Sequence, residues 1–88
     1  MKNKSKEILS QAWQNASTLQ LGKKGISSSF LEELESQLKH NTFIKIKILK
    51  NAPFDNRSEA FEKLQQRIAL DIELVEKRGR IVLVSKRD

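Results

Sequence analysis

The chain has 88 residues and no cysteine, which is enough for one small domain, residues 1–88, and excludes disulfides and thiolate chemistry. It has no run of about 18 apolar residues and no signal-peptide pattern, so we expect a cytoplasmic protein without a membrane-spanning segment. The net charge of +6 is concentrated at the ends: residues 1–26 and 77–88 each carry +4, whereas residues 27–76 carry −2. Basic ends are typical of a solvated surface or of a face that binds a polyanion.

A first helix is predicted over residues 4–16, because apolar residues recur on one face of it: Ile8, Leu9, Ala12, Trp13 and Ala16. Trp13 is the only tryptophan, and its position on this face predicts that it belongs to the core. Residues 18–21 then read as a short strand that ends at Gly22.

A second helix is predicted after Gly25, with Ser27 or Ser28 as its N-cap and Asn41 as its end. Its apolar stripe consists of Phe30, Leu31, Leu34 and Leu38. His40, the only histidine, falls in the last turn, where positive charge is favourable. We therefore expect a helix-terminal role for this histidine and no role as a ligand or base.

The clearest strand is predicted over residues 43–49, where three isoleucines alternate with Lys45 and Lys47. One face of this strand should lie in the core, while the lysine face should be at least partly solvated and basic. A loop containing Pro53 follows, and then a third helix over residues 57–70 that Ser58 is expected to cap.

The last segment predicts a β-hairpin whose turn is Lys77-Arg78-Gly79-Arg80. Its second strand, residues 81–84, is apolar on both sides, so both of its faces should be covered. The elements follow the order α-β-α-β-α-β-β. A parallel pair joined by a crossover helix, followed by a hairpin, predicts an α/β domain with a mixed four-stranded sheet flanked by helices.

The loop Gly22-Lys23-Lys24-Gly25 is the strongest functional signal, because it lies between a strand and the start of a helix. Free N–H groups at a helix start attract anions, and glycine lets a phosphate approach the backbone closely. The longer glycine patterns of nucleotide-binding and dinucleotide-binding loops are missing. A loop that clamps a nucleic-acid backbone therefore fits this pattern, although a plain strand-to-helix turn would use the same residues.

The stretch "LQLGKKGISSSFLEELESQLKHNTFIKIKIL", residues 19–49, resembles the CRM domain, the family of small bacterial YhbY proteins and plant chloroplast intron-splicing factors. The shared features are an apolar-Gly-Lys-x-Gly-apolar-Ser stretch, an amphipathic helix and a strand in which isoleucine and lysine alternate. The order of elements is also similar over nearly the whole chain. The chain departs from the family in lacking a proline before the first strand and in ending its last strand with Ser85-Lys86.

This resemblance implies an RNA-binding domain related in fold to the C-terminal domain of the third bacterial translation initiation factor. It implies that the partner is ribosomal RNA or its precursor, and that the protein associates with precursors of the large ribosomal subunit. Carried over by position, it assigns RNA contacts to six residues: Gly22, Lys23, Lys24, Gly25, Lys45 and Lys47.

We expect no enzymatic activity, no cofactor and no metal, because the chain has no cysteine and a single histidine at a helix end. The glutamates of the predicted helices are expected to be solvated charges rather than catalytic pairs. A protein-interaction module, or an adaptor in intron splicing or translation, is the alternative. We expect a monomer that does not bind membranes.

Overall fold

The computed structural model describes residues 6–87, which form three helices and four strands in the predicted order. The helices are α1 (Lys6–Asn15), α2 (Ser28–His40) and α3 (Arg57–Arg67), and the strands are β1 (Thr18–Leu21), β2 (Phe43–Ile48), β3 (Ile72–Arg78) and β4 (Ile81–Lys86). The first two residues predicted for the first helix, 4 and 5, lie outside the described range. Among the described residues, no helix is long and apolar enough to cross a membrane.

The four strands form one mixed sheet in the order β1-β2-β4-β3. β1 and β2 are parallel and are joined by α2, whereas β4 is antiparallel to both of its neighbours. The predicted α/β class and mixed four-stranded sheet are confirmed. The loops that follow β1 and β2, residues 22–25 and 49–56, therefore lie at the same end of the sheet. The turn of the β3–β4 hairpin, residues 79–80, lies at that end as well.

The main core lies on one face of the sheet, beneath α2 and α3. The isoleucines of β2 are all buried there, as their alternation predicted. Their neighbours include buried residues of every other strand and of both helices: Leu21, Leu34, Leu38, Ala60, Leu64, Ile72, Val82 and Val84. Because burying one large aliphatic side chain contributes about 1.5–3 kcal/mol, this cluster is the main stabilising element of the fold.

The opposite face of the sheet is covered in part by α1. Leu83, which alternates with the core residues of β4, is completely buried although it lies on this second face. The Trp13 indole N–H donates a hydrogen bond to the Glu76 carboxylate on β3, which ties α1 to the sheet. β4 is therefore covered on both sides, as predicted, whereas Trp13 is half-buried on the second face rather than part of the main core.

The ends of α2 agree with the sequence prediction. The Ser27 hydroxyl accepts a hydrogen bond of 3.1 Å from the Phe30 N–H, which is the geometry of an N-cap. Asn41 ends the helix in an extended conformation.

The prediction that Ser58 caps the third helix is wrong, because Asn56 occupies that position. Its side-chain oxygen accepts a 2.8 Å hydrogen bond from the Glu59 N–H, and the Glu59 carboxylate in turn accepts one from the Asp55 N–H at 2.6 Å. The helix also ends three residues earlier than predicted, at Arg67. Ile68 is the first residue outside the helix, and its side chain is buried in the core. The N–H of Ala69 donates a hydrogen bond to the Glu35 carboxylate on α2.

Replacing Asn56 by alanine should destabilise the protein by about 1 kcal/mol, because one N–H at the start of α3 loses its acceptor. The matched substitution Ser58→Ala, within the first turn of the same helix, should leave stability nearly unchanged. Urea unfolding measures both variants. Equal destabilisation by the two substitutions would contradict the assignment of Asn56 as the cap.

Candidate nucleic-acid interface

Residues 22–25, called here the GKKG turn, connect the end of β1 to the segment that leads into α2. The Gly25 N–H donates a 2.9 Å hydrogen bond to the Gly22 carbonyl, which closes a four-residue turn. Lys23 and Lys24 are its two central residues, and both are exposed. The turn therefore presents two adjacent ammonium groups to solvent at the end of the sheet.

The two glycines allow the GKKG turn to pack against the loop of residues 49–56. Gly25 has a φ of +68°, and a Cβ at this position would lie 3.1 Å from Pro53 Cγ. A Cβ on Gly22 would lie 3.2 Å from Leu49 Cδ1. Packing within the fold thus accounts for both glycines, and the Gly25 N–H is used inside the turn. The predicted contact between this turn and RNA stays a prediction that rests on its lysines.

Three loops meet at this end of the sheet. The GKKG turn touches the 49–56 loop through Pro53, and the Arg57 guanidinium donates a 2.5 Å hydrogen bond to the carbonyl of Gly79 in the hairpin turn. The Ile48 N–H donates to the Arg80 carbonyl at 2.8 Å, which joins the last residue of β2 to the same hairpin turn. Segments that are far apart in sequence are therefore held side by side.

This convergence produces a surface that we call the basic end, made by Lys23, Lys24, Lys47, Lys50, Arg57 and Arg80. Lys47 is exposed and lies one residue before the end of β2, paired with Gln20 on one side and Ile81 on the other. Asp55 contributes an acidic side chain to the same region. An excess of cations over acidic groups at one end of a domain produces a positive potential that attracts polyanions.

Lys45, which was predicted beside Lys47 as an RNA contact, lies in a different environment. It is half-buried, and its Nζ donates a 2.8 Å hydrogen bond to the Trp13 carbonyl. That carbonyl belongs to the last turn of α1, where backbone acceptors have no partner within the helix. Lys45 thus stabilises the end of α1 over the sheet. Its role in RNA binding stays a prediction, and the structure does not bring its ammonium group into the basic end.

Sequence reasoning missed Lys50, Arg57 and Arg80 as members of the surface. Lys50 comes from a loop, Arg57 is the first residue of α3, and Arg80 lies in the hairpin turn. Only the long-range contacts of those segments bring them to one place. The charge of +4 on residues 77–88 was a signal for Arg80, but nothing local distinguished Lys50 or Arg57 from ordinary solvated cations.

Arg78 belongs to the same basic segment, but it contacts α1. Its guanidinium lies 4.5 Å from the centre of the Trp13 ring and 3.6 Å from the Glu76 carboxylate. The tryptophan therefore has one face occupied by an arginine and its N–H occupied by a glutamate. This arrangement favours a structural role for Trp13 over a platform for RNA bases.

The sequence also matches a known protein family. A family model for the CRS1/YhbY (CRM) domain matches residues 1–86. This chain belongs to the CRS1/YhbY (CRM) family. Domains of this family generally bind RNA and are not typically enzymes. No curated protein matches the sequence closely enough to be reported as a relative.

The resemblance stated from residues 19–49 is thus confirmed at the level of the family. In this chain the GKKG turn lies shortly before the start of α2. Within residues 6–87, no group of three or more His, Asp or Glu side chains is arranged to hold a metal ion.

The two glycines with positive φ should differ in their tolerance of alanine. Gly79→Ala should destabilise by about 1–2 kcal/mol, because φ is +54° there but a Cβ would meet no atom within 4 Å. Gly25→Ala should cost more, since it adds the contact with Pro53 to the same backbone strain. Thermal and urea unfolding compare the two, and an equal loss of stability would contradict the packing role of Gly25.

Lys45→Met should destabilise the protein by about 1 kcal/mol, because the Trp13 carbonyl loses its donor while the aliphatic stem is kept. Lys47→Met, on the same face of the same strand, is the matched control and should change stability little. Fluorescence of the single tryptophan should respond to Lys45→Met, since α1 is held less firmly. Identical unfolding curves for the two variants would contradict this role of Lys45.

Proposed function

We propose that this CRM domain binds RNA through the basic end, with the GKKG turn as its centre. The observation that carries the proposal is that six cationic residues from five segments, the GKKG turn among them, lie at one end of the sheet. Membership of a family that generally binds RNA supports the choice of RNA as the polyanion. Lys23, Lys24 and Lys47 are the principal contacts.

The proposed mechanism is mainly electrostatic. Lysine ammonium groups act as mobile point charges that contact phosphate oxygens without reading bases. The start of α2 adds a favourable dipole and N–H groups that lack partners within the helix. Each contact releases counterions from the RNA, so the affinity should fall steeply with salt. Selectivity then comes mostly from the shape of the RNA that fits this end of the domain.

The proposed partner is ribosomal RNA, within a precursor of the large ribosomal subunit. This assignment follows from the resemblance to small YhbY proteins and is supported by membership of a family that generally binds RNA. The protein acts in the cytoplasm as a monomer, without a cofactor, in the assembly of that subunit. No catalytic step is required of it.

The double substitution Lys23→Glu/Lys24→Glu should weaken binding to single-stranded RNA of every sequence tested. If two phosphate contacts are lost, the slope of log affinity against log salt should become shallower by about 1.4, since each contact contributes about 0.7. Fluorescence anisotropy with labelled RNA at several salt concentrations measures this slope.

The matched control is Lys39→Glu/Lys86→Glu, which changes the net charge equally. These exposed lysines lie at the last turn of α2 and the last residue of β4, at the other end of the sheet from the GKKG turn. The control should retain the wild-type salt slope. A slope altered equally by both double variants would show a net-charge effect and would remove the GKKG turn from the proposed interface.

Crosslinking in the native cells, followed by sequencing of the attached RNA, tests the ribosomal assignment. Reads should concentrate in the precursor of large-subunit ribosomal RNA and should fall for the Lys23→Glu/Lys24→Glu variant. Reads concentrated in introns or messenger RNAs would contradict the ribosomal role. Protein partners that persist after ribonuclease treatment, without specific RNA reads, would favour an interaction module instead.

A further inference from the structure

A cleft of about 220 Å³ lies at the basic end, between the 49–56 loop, the start of α3 and the hairpin turn. Ile48, Leu49 and Phe54 give its lining an apolar part, and Lys50, Arg57 and Arg80 give it a cationic part. Small-molecule sites commonly measure about 300–1,000 Å³, so this cleft suits a fragment smaller than a typical cofactor. An apolar lining beside several cations fits a flat, uncharged ring that carries a phosphate.

The walls of the cleft are held by hydrogen bonds within the protein. Arg57 donates to the Gly79 carbonyl, which fixes the start of α3 against the hairpin turn. The Phe54 N–H donates to the Ala52 carbonyl at 2.9 Å, and Asn56 caps α3. A site built in this way loses little conformational entropy when a ligand binds.

The cleft adjoins the GKKG turn. Phe54 Cζ lies 4.0 Å from the position that a Cβ would occupy on Gly25, so the aromatic ring reaches the underside of the turn. Phe54 is half-buried and also packs on the main core. A strand of RNA whose phosphates contact Lys23 and Lys24 therefore passes next to this cleft.

We propose that the cleft holds one unstacked nucleotide of the bound RNA, an inference that rests on the proposed function. The base packs against Phe54 and the aliphatic part of the lining, while Lys50 and Arg80 contact its phosphate. Stacking of bases on aromatic side chains is a common source of affinity for single strands. The cleft thereby adds a contact to the base beside the phosphate contacts of the GKKG turn.

Asp55 gives the cleft a preference among bases. A carboxylate only accepts hydrogen bonds, so it favours a base edge that presents N–H donors. The Watson–Crick edge of guanine presents two adjacent N–H groups, which match the two oxygens of one carboxylate. The corresponding edge of uracil presents one N–H between two carbonyl oxygens, which the carboxylate repels. We therefore expect guanine to be preferred to uracil.

Titration of the full chain, followed by two-dimensional NMR, tests the cleft directly. The probes are guanosine 5′-monophosphate, uridine 5′-monophosphate and inorganic phosphate. The guanosine nucleotide should shift the amide signals of Asn56, Gly79 and Arg80 at lower concentration than either other probe. Equal shifts with inorganic phosphate would overturn the proposal, because they would indicate an anion site without a base contact. Absence of shifts at these amides would overturn it as well.

Substitutions separate the parts of the cleft. Phe54→Leu keeps an apolar side chain and should lower affinity for a short guanine-containing RNA by about tenfold, as loss of one base–aromatic stack does. Asp55→Asn should abolish the preference for guanine over uridine nucleotide, and retention of that preference would remove Asp55 from base selection.

Arg80→Gln covers the possibility that Phe54→Leu impairs folding, because Arg80 is exposed in the hairpin turn. It should weaken binding of the guanosine nucleotide, whereas Arg87→Gln, just beyond the far end of β4, should not. Equal behaviour of these two variants would overturn the cleft. RNA binding that depends on Lys23 and Lys24 but is unchanged by Phe54→Leu, with no preference for guanosine over uridine nucleotide, would overturn the cleft alone and leave the proposed function standing.

Discussion

The contact between Gly25 and Pro53 is the constraint on which the candidate interface depends. A Cβ on this residue would be strained by the φ of +68° and would lie only 3.1 Å from the proline ring, so the position favours glycine. The GKKG turn can therefore rest directly on the 49–56 loop. That loop leads into α3, whose first residue, Arg57, donates a hydrogen bond to the Gly79 carbonyl in the hairpin turn. The contact between Gly25 and Pro53 therefore brings the GKKG turn beside the two other segments. The basic end follows from this alignment.

The two faces of the sheet are covered by different physical means. The face beneath α2 and α3 is almost entirely aliphatic, and its stability comes from the removal of apolar surface from water. The face beneath α1 combines a buried Leu83 with polar contacts made by Lys45, Glu76 and Trp13. Hydrogen bonds of this kind contribute less than burial but depend strongly on orientation. They hold a short helix with a single buried residue, Ala12, in one position on the sheet.

The distribution of charge over the surface determines which side of the domain a polyanion approaches. Six cations lie at the basic end, whereas the exposed glutamates Glu32 and Glu33 lie on α2. A polyanion is thereby attracted to the basic end and repelled from the acidic surface of α2. Phosphate contacts alone would leave the RNA free to slide along the basic end. A neighbouring cleft with an aromatic residue would limit that movement, because a base has to leave its stack to enter it.

Much of the fold and part of the candidate site could be predicted from the sequence. The order of elements, the alternation in β2, the Ser27 cap and the coverage of β4 follow from periodicity and local backbone chemistry, and these act within about ten residues of chain. The family was recognisable from residues 19–49 because its shared features follow one another in the sequence. Tertiary structure decided which of the two lysines on β2 is exposed to solvent. The ammonium group of Lys45 donates a hydrogen bond to the end of α1, whereas Lys47 stays exposed. It also decided that Asn56 rather than Ser58 caps α3, that both glycines serve packing, and that Lys50, Arg57 and Arg80 join the basic end. Each of these depends on which distant segments touch, and long-range contacts leave no periodic signal in the chain.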